Sequence, residues 1–212
     1  PKKNHSLFSI NIKKNIFPNY KNFYQFKLNL FGKHNILNAL AAVTVGFLLD
    51  IPIRQTQSAL ENFQGVKRRF TYLGKINKCK VYDDYAHHPT EIKALLAGIR
   101  SVYHSRKIIS IFQPHRFSRV KLLKKEFASG FKLCDEVVLC PVYPAGEKID
   151  RYFDYHLFGK LISKKSNVRV VILKTESELL SYFKKNLFEN ELVVCMGAGS
   201  ISEWIRNISK KL

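Results

Sequence analysis

The sequence predicts an α/β protein: a Rossmann-like, mostly parallel sheet with helices on both faces, preceded by the tail of a second domain. Three observations carry this. Four short, nearly continuous apolar runs at 107–112, 135–139, 168–173 and 191–195 look like strands buried on both faces. Segments with helical periodicity at 90–104, 118–132, 154–165 and 175–187 alternate with them, as right-handed crossovers require. Before residue 69 the pattern is different, with short alternating strands and a helical pair.

Residues 1–31 read as short strands. Leu7–Ile12 alternates partly and Phe26–Leu30 cleanly, and Gly32 ends the second. A helix follows over 35–49, with Leu37, Leu40, Ala41, Val45 and Leu48 expected on its buried face. Asp50-Ile51-Pro52 breaks it, and a second helix runs over 53–63 to stop before Gly65. Gln64-Gly-Val-Lys-Arg68 reads as the junction, giving domains 1–66 and 67–212. The first holds too few elements to bury a full core, so it is expected to leave apolar surface uncovered. Beyond the junction a strand at 79–83 opens the α/β pattern, and a helix near 200–210 closes it.

Composition narrows the classes. Hydrophobic residues make up 46% of 212, which excludes a disordered chain. No apolar stretch is long enough for a bilayer span, and the opening Pro-Lys-Lys-Asn-His lacks a signal-peptide core. Cysteines 79, 134, 140 and 195 form no C-x-x-C pair, and three lie in apolar runs; buried free thiols in a reducing, cytoplasmic compartment are expected. The formal charge of +20 raises a nucleic-acid module as an alternative class. The lysines are scattered along the chain and accompany abundant Asn, Ile, Phe and Tyr, so compositional bias is the reading taken, with neither nucleic acid nor membrane expected as partner.

In a doubly wound sheet, chemistry sits at the carboxyl ends of the strands. Asp83-Asp84-Tyr85-Ala86-His87-His88-Pro89-Thr90-Glu91 follows one strand. A capped helix start explains one Asp and one His easily, but not so many polar and aromatic groups in a row. Phe112-Gln113-Pro114-His115-Arg116-Phe117-Ser118-Arg119 ends the next, and Arg116 and Arg119 lie one helical turn apart, suited to clamping a carboxylate or phosphate. Gly32-Lys33-His34-Asn35-Ile36-Leu37-Asn38 opens the first helix; its amides suit a base edge or ribose, though a capping Asn explains them nearly as well. The paired Arg68-Arg69 reads first as a charged hinge, Tyr143–Glu147 as an ordinary loop, and Gly197-Ala198-Gly199 as a tight strand-to-helix turn. Zinc on His87, His88 and His115 is disfavoured, since adjacent histidines seldom share one ion.

Taken together these segments resemble the C-terminal part of the Mur ligase family from about residue 24 onward. Gly32–Ala42 is similar to the end of its central ATP-binding domain, Phe63–Phe70 to its domain junction, and Asp83–Glu91 to the members acting on the muramic acid lactyl carboxylate. The Phe112–Arg119 run narrows the likeness to the branch that adds L-alanine, and Val142–Glu147 agrees. The resemblance implies an ATP-dependent amide-forming ligase of peptidoglycan synthesis. ATP, with Mg2+, converts the carboxylate of UDP-N-acetylmuramate to an acyl phosphate that the amine of L-alanine attacks. It further implies that His34, Asn35, Asn38, Arg69 and Asp84 serve the nucleotide, while Tyr85, His87, His115, Arg116 and Arg119 serve the amino acid and the reacting carboxylate. A tripeptide-adding recycling ligase shares the Asp83–Glu91 turn and is the alternative within the family.

The chain lacks the family's Gly-rich G-K-[ST] loop: its Gly-Lys pairs at 32, 74 and 159 are followed by His, Ile and Leu. It is therefore expected to be a piece of the ligase that needs the N-terminal and central domains. Given ATP, L-alanine and UDP-N-acetylmuramate, the 212 residues alone should release no phosphate; turnover above a heat-killed control would refute this.

Overall fold

The computed structural model describes residues 5–30 and 32–211, with only the backbone of His34. It divides into two compact units, Pro1–Val66 and Lys67–Leu212.

In the first unit β1 (Ser6–Asn11) pairs antiparallel with β2 (Phe23–Leu28), Ser6 opposite Leu28. Helices α1 (Lys33–Leu48) and α2 (Ile53–Asn62) follow. The core is small: Ile12, Phe26, Leu28, Ala39, Val43, Phe47 and Leu60. Phe47 anchors it by packing against the rings of Phe17, Tyr20 and Tyr24. The expected buried face of α1 is the wrong one. Leu37, Leu40, Ala41, Val45 and Leu48 are exposed, and the stripe Ala39–Val43–Phe47 is buried instead. The helix is apolar on two sides, so periodicity alone could not choose between them. β2 also begins three residues earlier than its alternation suggests, at Phe23.

The second unit holds a six-stranded sheet, mostly parallel as expected. Its elements are β3 (Thr71–Ile76), β4 (Cys79–Asp84), α3 (Pro89–Val102), β5 (Ile108–Phe112), α4 (Phe117–Leu122), α5 (Lys124–Ala128), β6 (Glu136–Leu139), α6 (Tyr155–Ser166), β7 (Arg169–Ile172), α7 (Glu176–Asn186), β8 (Leu192–Met196) and α8 (Ile201–Lys211). The strand order is β3-β4-β8-β5-β6-β7, with only β3 antiparallel.

β3 went unread because its alternation is interrupted. The register shifts between Tyr72 and Gly74, where φ is +127°. The hairpin to β4 then turns on Asn77 and Lys78, both at positive φ, without the usual glycine. The single helix expected over 118–132 is two, broken at Leu123. Phe117, Val120, Phe127, Ala128 and Phe131 are all buried, so helical spacing runs straight through the break and hides it.

Alternation along the inner strands builds two cores. Ile108 and Phe112 of β5 face α3–α6, packing with Leu96, Phe127 and Phe158. Ile109 and Ile111 face α7 and α8, packing with Leu179, Phe183 and Ile205. Both faces of each strand are therefore dry, which is why the strands read as unbroken apolar runs. All four cysteines are buried and free. Among the described residues no helix is long and apolar enough to cross a membrane.

β8 lies between β4 and β5. Helices α3 and α4, which follow those two strands, pack on one face, whereas α8, which follows β8, packs on the other. Such a reversal opens a crevice at the carboxyl end of β8. The turn there has no room for side chains: a Cβ on Gly199 would lie 2.3 Å from Tyr143 Cγ and 2.6 Å from Gln113 Oε1. Gly199→Ala should destabilise the fold by about 1–3 kcal/mol through overpacking. Gly98→Ala, inside α3 with nothing within 4 Å, should stabilise it by about 0.5–1 kcal/mol. Urea unfolding of the two variants tests both signs.

Candidate functional site

Four loops leave the carboxyl edge of the sheet around β8, and their side chains meet above it. After β4, Asp84 sets the turn. Its Oδ2 accepts the Phe70 N–H and its Oδ1 the Ala86 N–H, both at 2.7 Å, and burial pushes its pKa up. The Tyr85 N–H donates to the Arg68 carbonyl at 2.7 Å. Arg68 is no solvated hinge: its guanidinium lies 4.8 Å from the centre of the Tyr85 ring and donates to the Gly197 carbonyl. Arg69 stays exposed, 5.9 Å from the same ring.

The two histidines of this loop part company. His88 is a helix cap: its Nδ1 accepts the Thr90 N–H at 3.4 Å, and Glu91 accepts the N–H groups of His87 and His88 in return. His87 turns toward the crevice, its Nδ1 2.9 Å from the Tyr85 carbonyl and 3.4 Å from Glu91. A carbonyl only accepts, so Nδ1 carries the hydrogen and a neutral His87 keeps its lone pair on Nε2. Burial penalises the Glu91 carboxylate, but the His87 N–H and the His87 and His88 contacts outweigh it and hold its pKa below the ordinary value.

After β5, Gln113 is structural rather than a free donor. It is buried, its Oε1 accepts the Ile201 N–H at 3.0 Å and its Nε2 donates to Ser200 Oγ at 3.1 Å, which together pin the start of α8. The next residues join the β6 loop: the Tyr143 N–H donates to the Pro114 carbonyl and the Arg116 N–H to the Tyr143 carbonyl, each at 2.8 Å. Arg116 takes φ 69°, ψ 126°, a conformation that costs a non-glycine residue about 1–3 kcal/mol. Glu147 closes the loop pair by accepting the N–H and hydroxyl of Ser118 at the start of α4. That hydroxyl contact, first among several, lowers the Glu147 pKa.

The result is a row of rings across the end of β8. Tyr85 and His87 have centroids 5.2 Å apart, His87 and His115 5.4 Å, and His115 and Tyr143 5.7 Å with near-parallel planes. Tyr85 and His87 do not leave a strand adjacent to that of His115; β8 separates them, and its glycine turn is low enough for the rings to touch. Arg119 donates to His115 Nδ1 at 3.4 Å. Burial, then His87, Arg119 and Arg116, push the His115 pKa below 6.5. Among the described residues neither Arg116 nor Arg119 is in an ion pair.

The sequence reading missed Tyr143 and Glu147, although Tyr143-Pro-Ala-Gly-Glu147 follows a strand at the same edge as the other motifs. The remaining expected residues sit in the first unit, at the start of α1. Asn35 is half-buried and Asn38 exposed, and the His34 side chain lies outside the described residues. Gly32 caps α1 without a side-chain hydrogen bond. No three His, Cys, Asp or Glu residues among those described are grouped to hold a metal ion.

Comparison with known proteins covers the same stretch of chain. The signature of the Mur ligase glutamate ligase domain matches residues 68–199, which span every loop of the rim. The chain belongs to the Mur ligase family. It is 46% identical over 182 residues to a UDP-N-acetylmuramate--L-alanine ligase of Pelagibacter ubique, covering 86% of this chain and 39% of that protein. A ligase of the same name from Rickettsia prowazekii is 39% identical over 184 residues, covering 85% and 37%. The chain thus spans about 40% of the length of these curated relatives. Among solved structures, the UDP-N-acetylmuramate-alanine ligase of Thermotoga maritima superimposes with TM-score 0.70 at 32% identity, covering 91% of this chain and 41% of that one. A murein peptide ligase from Psychrobacter arcticus gives 0.74 at 20% identity over 99% and 42%, a likeness of fold.

For this Mur ligase domain the histidine row has a pH signature. His115 holds its proton less tightly folded than unfolded, so its contribution to stability is full above about pH 6.5 and is lost as pH falls through the depressed value. Glu147 opposes that depression. Glu147→Gln should therefore lower the His115 midpoint further in a histidine NMR titration; a rise would contradict the geometry.

Proposed function

We propose that this chain is the C-terminal part of an ATP-dependent ligase that joins L-alanine to UDP-N-acetylmuramate in peptidoglycan synthesis. In this reading residues 1–66 are the end of the central ATP-binding domain and 67–212 the C-terminal domain. The exposed stripe Leu37–Leu48 of α1 would then be covered by the rest of the central domain.

The observation that carries the proposal is the pair of guanidiniums, Arg116 and Arg119, in no ion pair among the described residues, beside a half-buried imidazole and a row of rings. Two such cations at a crevice suit the carboxylate of a small amino acid. His115, with Nδ1 accepting from Arg119, presents Nε2–H as a further donor. His87, with its hydrogen on Nδ1, offers Nε2 as an acceptor for a proton of the incoming ammonium group. Tyr85 walls the near side. The chain's work would be to place the amine and to keep water from the activated carboxylate.

On the nucleotide side, exposed Arg69 suits the ATP phosphates, and Asn35, Asn38 and His34 the base and ribose. Asp84 fits less freely. Both its oxygens already hold backbone N–H groups, so a ribose hydroxyl would have to share them. Mg2+, when bound, screens phosphate charge, and the described residues supply no cluster of their own to hold it. The relatives named above, together with the Phe112–Arg119 run, favour the alanine-adding branch over a tripeptide-adding one.

A chimaera joining this chain to the preceding segments of the Pelagibacter ubique relative tests the assignment. Arg116→Ala should lower kcat/KM for L-alanine by about 30- to 150-fold, the loss of one charge-assisted contact of about 2–3 kcal/mol. The KM for UDP-N-acetylmuramate should move much less. An unchanged alanine dependence would remove Arg116 from the site.

A further inference from the structure

Lysines occur over the whole of the second unit, but one edge of its sheet collects several cations together. In a parallel sheet the segments that precede the strands share one edge, opposite the crevice. Arg106 precedes β5, Lys132 precedes β6, Lys164 and Lys165 precede β7, and Lys184 and Lys185 precede β8. These are four neighbouring strands, about 15 Å across at the usual strand spacing, and because α6 and α7 pack on opposite faces of the sheet the cations spread over the whole end of the layered fold.

None of the six cations is in an ion pair among the described residues, because the carboxylates of this edge are already taken. Asp135 is held by Arg100 at 2.7 Å, Glu136 and Glu191 by Lys107 at 3.5 and 2.8 Å, and Glu189 by Lys78 at 3.1 Å. Three large apolar side chains stand in solvent among the free cations: Phe188 at 67% exposure, Val102 at 56% and Leu133 at 42%.

A local reason exists for part of this. Lys164, Lys165, Lys184 and Lys185 lie in the last turns of α6 and α7, where cations complement the helix dipole. Arg106, half-buried, rests 5.6 Å from the centre of the Tyr103 ring, but neither account covers Lys132, which lies outside helices, or the exposed Phe188.

We propose that the amino edge of the second unit is a docking surface for an anionic phospholipid bilayer. An edge whose carboxylates are each paired and whose remaining cations are not attracts anionic headgroups. Isolated aromatic and aliphatic groups among the cations partition into the headgroup boundary. Five of the six cations are lysine, a compact hydrated charge that adds to adsorption without a fixed docking geometry, whereas nucleic-acid recognition favours the arginine fork. Docking by this edge leaves the crevice at the opposite edge open to small substrates. The proposal does not depend on the ligase assignment.

The test uses the 212-residue chain and sucrose-loaded vesicles, either equal parts phosphatidylglycerol and phosphatidylcholine or phosphatidylcholine alone, read by co-sedimentation. Binding is expected only to the anionic vesicles and should weaken as salt rises from about 0.1 to 0.5 M. A Lys164, Lys165, Lys184, Lys185→Gln variant should bind at least about tenfold more weakly. A charge-matched control, Lys13, Lys14, Lys21, Lys33→Gln, should stay within about twofold. Phe188→Ser should weaken binding at constant charge. No binding to anionic vesicles at about 0.1 M salt would overturn the proposal. So would a control that loses as much as the edge variant, since net charge alone would then be responsible. Tighter binding to duplex DNA or single-stranded RNA, indifferent to Phe188→Ser, would replace the bilayer with a nucleic acid.

Discussion

The end of β8 is bare where four loops converge, and the site depends on that. A side chain at Gly199 would collide with both Tyr143 and Gln113, and Gly197 holds φ +154° with the Gln113 carbonyl 2.9 Å from where a Cβ would stand. Because this turn stays low, loops from β4 and β5 touch although β8 lies between them. Gln113 belongs to the same device: buried under the turn, it fixes the start of α8 and so holds the floor on which the rings meet. The glycines therefore permit close approach of neighbouring loops.

That dependence explains what was and was not legible in the sequence. The parallel strands were readable because each inner strand serves two dry cores. The polar run at 83–91 was readable as a site because a helix cap needs only part of it: His88, Pro89 and Glu91 do the capping, and Tyr85 and His87 are left over. Asp84 and Gln113 were not separable from their neighbours, since their task is to hold backbone groups that only the fold brings near. β3 was hidden by a bulge and a glycine-free hairpin, and the break at Leu123 by apolar spacing that continues across it. On α1 two apolar stripes competed, and only the aromatic cluster around Phe47 decided which one turned inward.

Charge shows the same limit in another form. A count of +20 has no direction along a chain, but strand order gives it one. At the crevice, Arg116 and Arg119 stand near Glu147, and His87 near Glu91, with each carboxylate accepting an N–H at a helix start, so the field there is local. At the amino edge the carboxylates are consumed by Arg100, Lys107 and Lys78, so the remaining cations act together.

At the crevice itself the electrostatics favour an incoming anion, because among the described residues Arg116 and Arg119 are in no ion pair. Arg119 donates to His115 Nδ1, which requires that nitrogen to be unprotonated, and burial first, then His87 and the two arginines, disfavour its protonation. A protonated His115 would repel both arginines; a carboxylate of the protein in its place would pair with them and leave nothing for a ligand. Glu147 is kept from that role by Ser118, whose N–H and hydroxyl it accepts. Holding Glu147 at the start of α4 and Arg116 at φ 69° are thus two parts of one arrangement. The strained backbone turns Arg116 outward, and the capped carboxylate stays beside it without neutralising it. Arg116 remains available because Glu147, close enough to feel its charge, is already engaged by Ser118 at the start of α4.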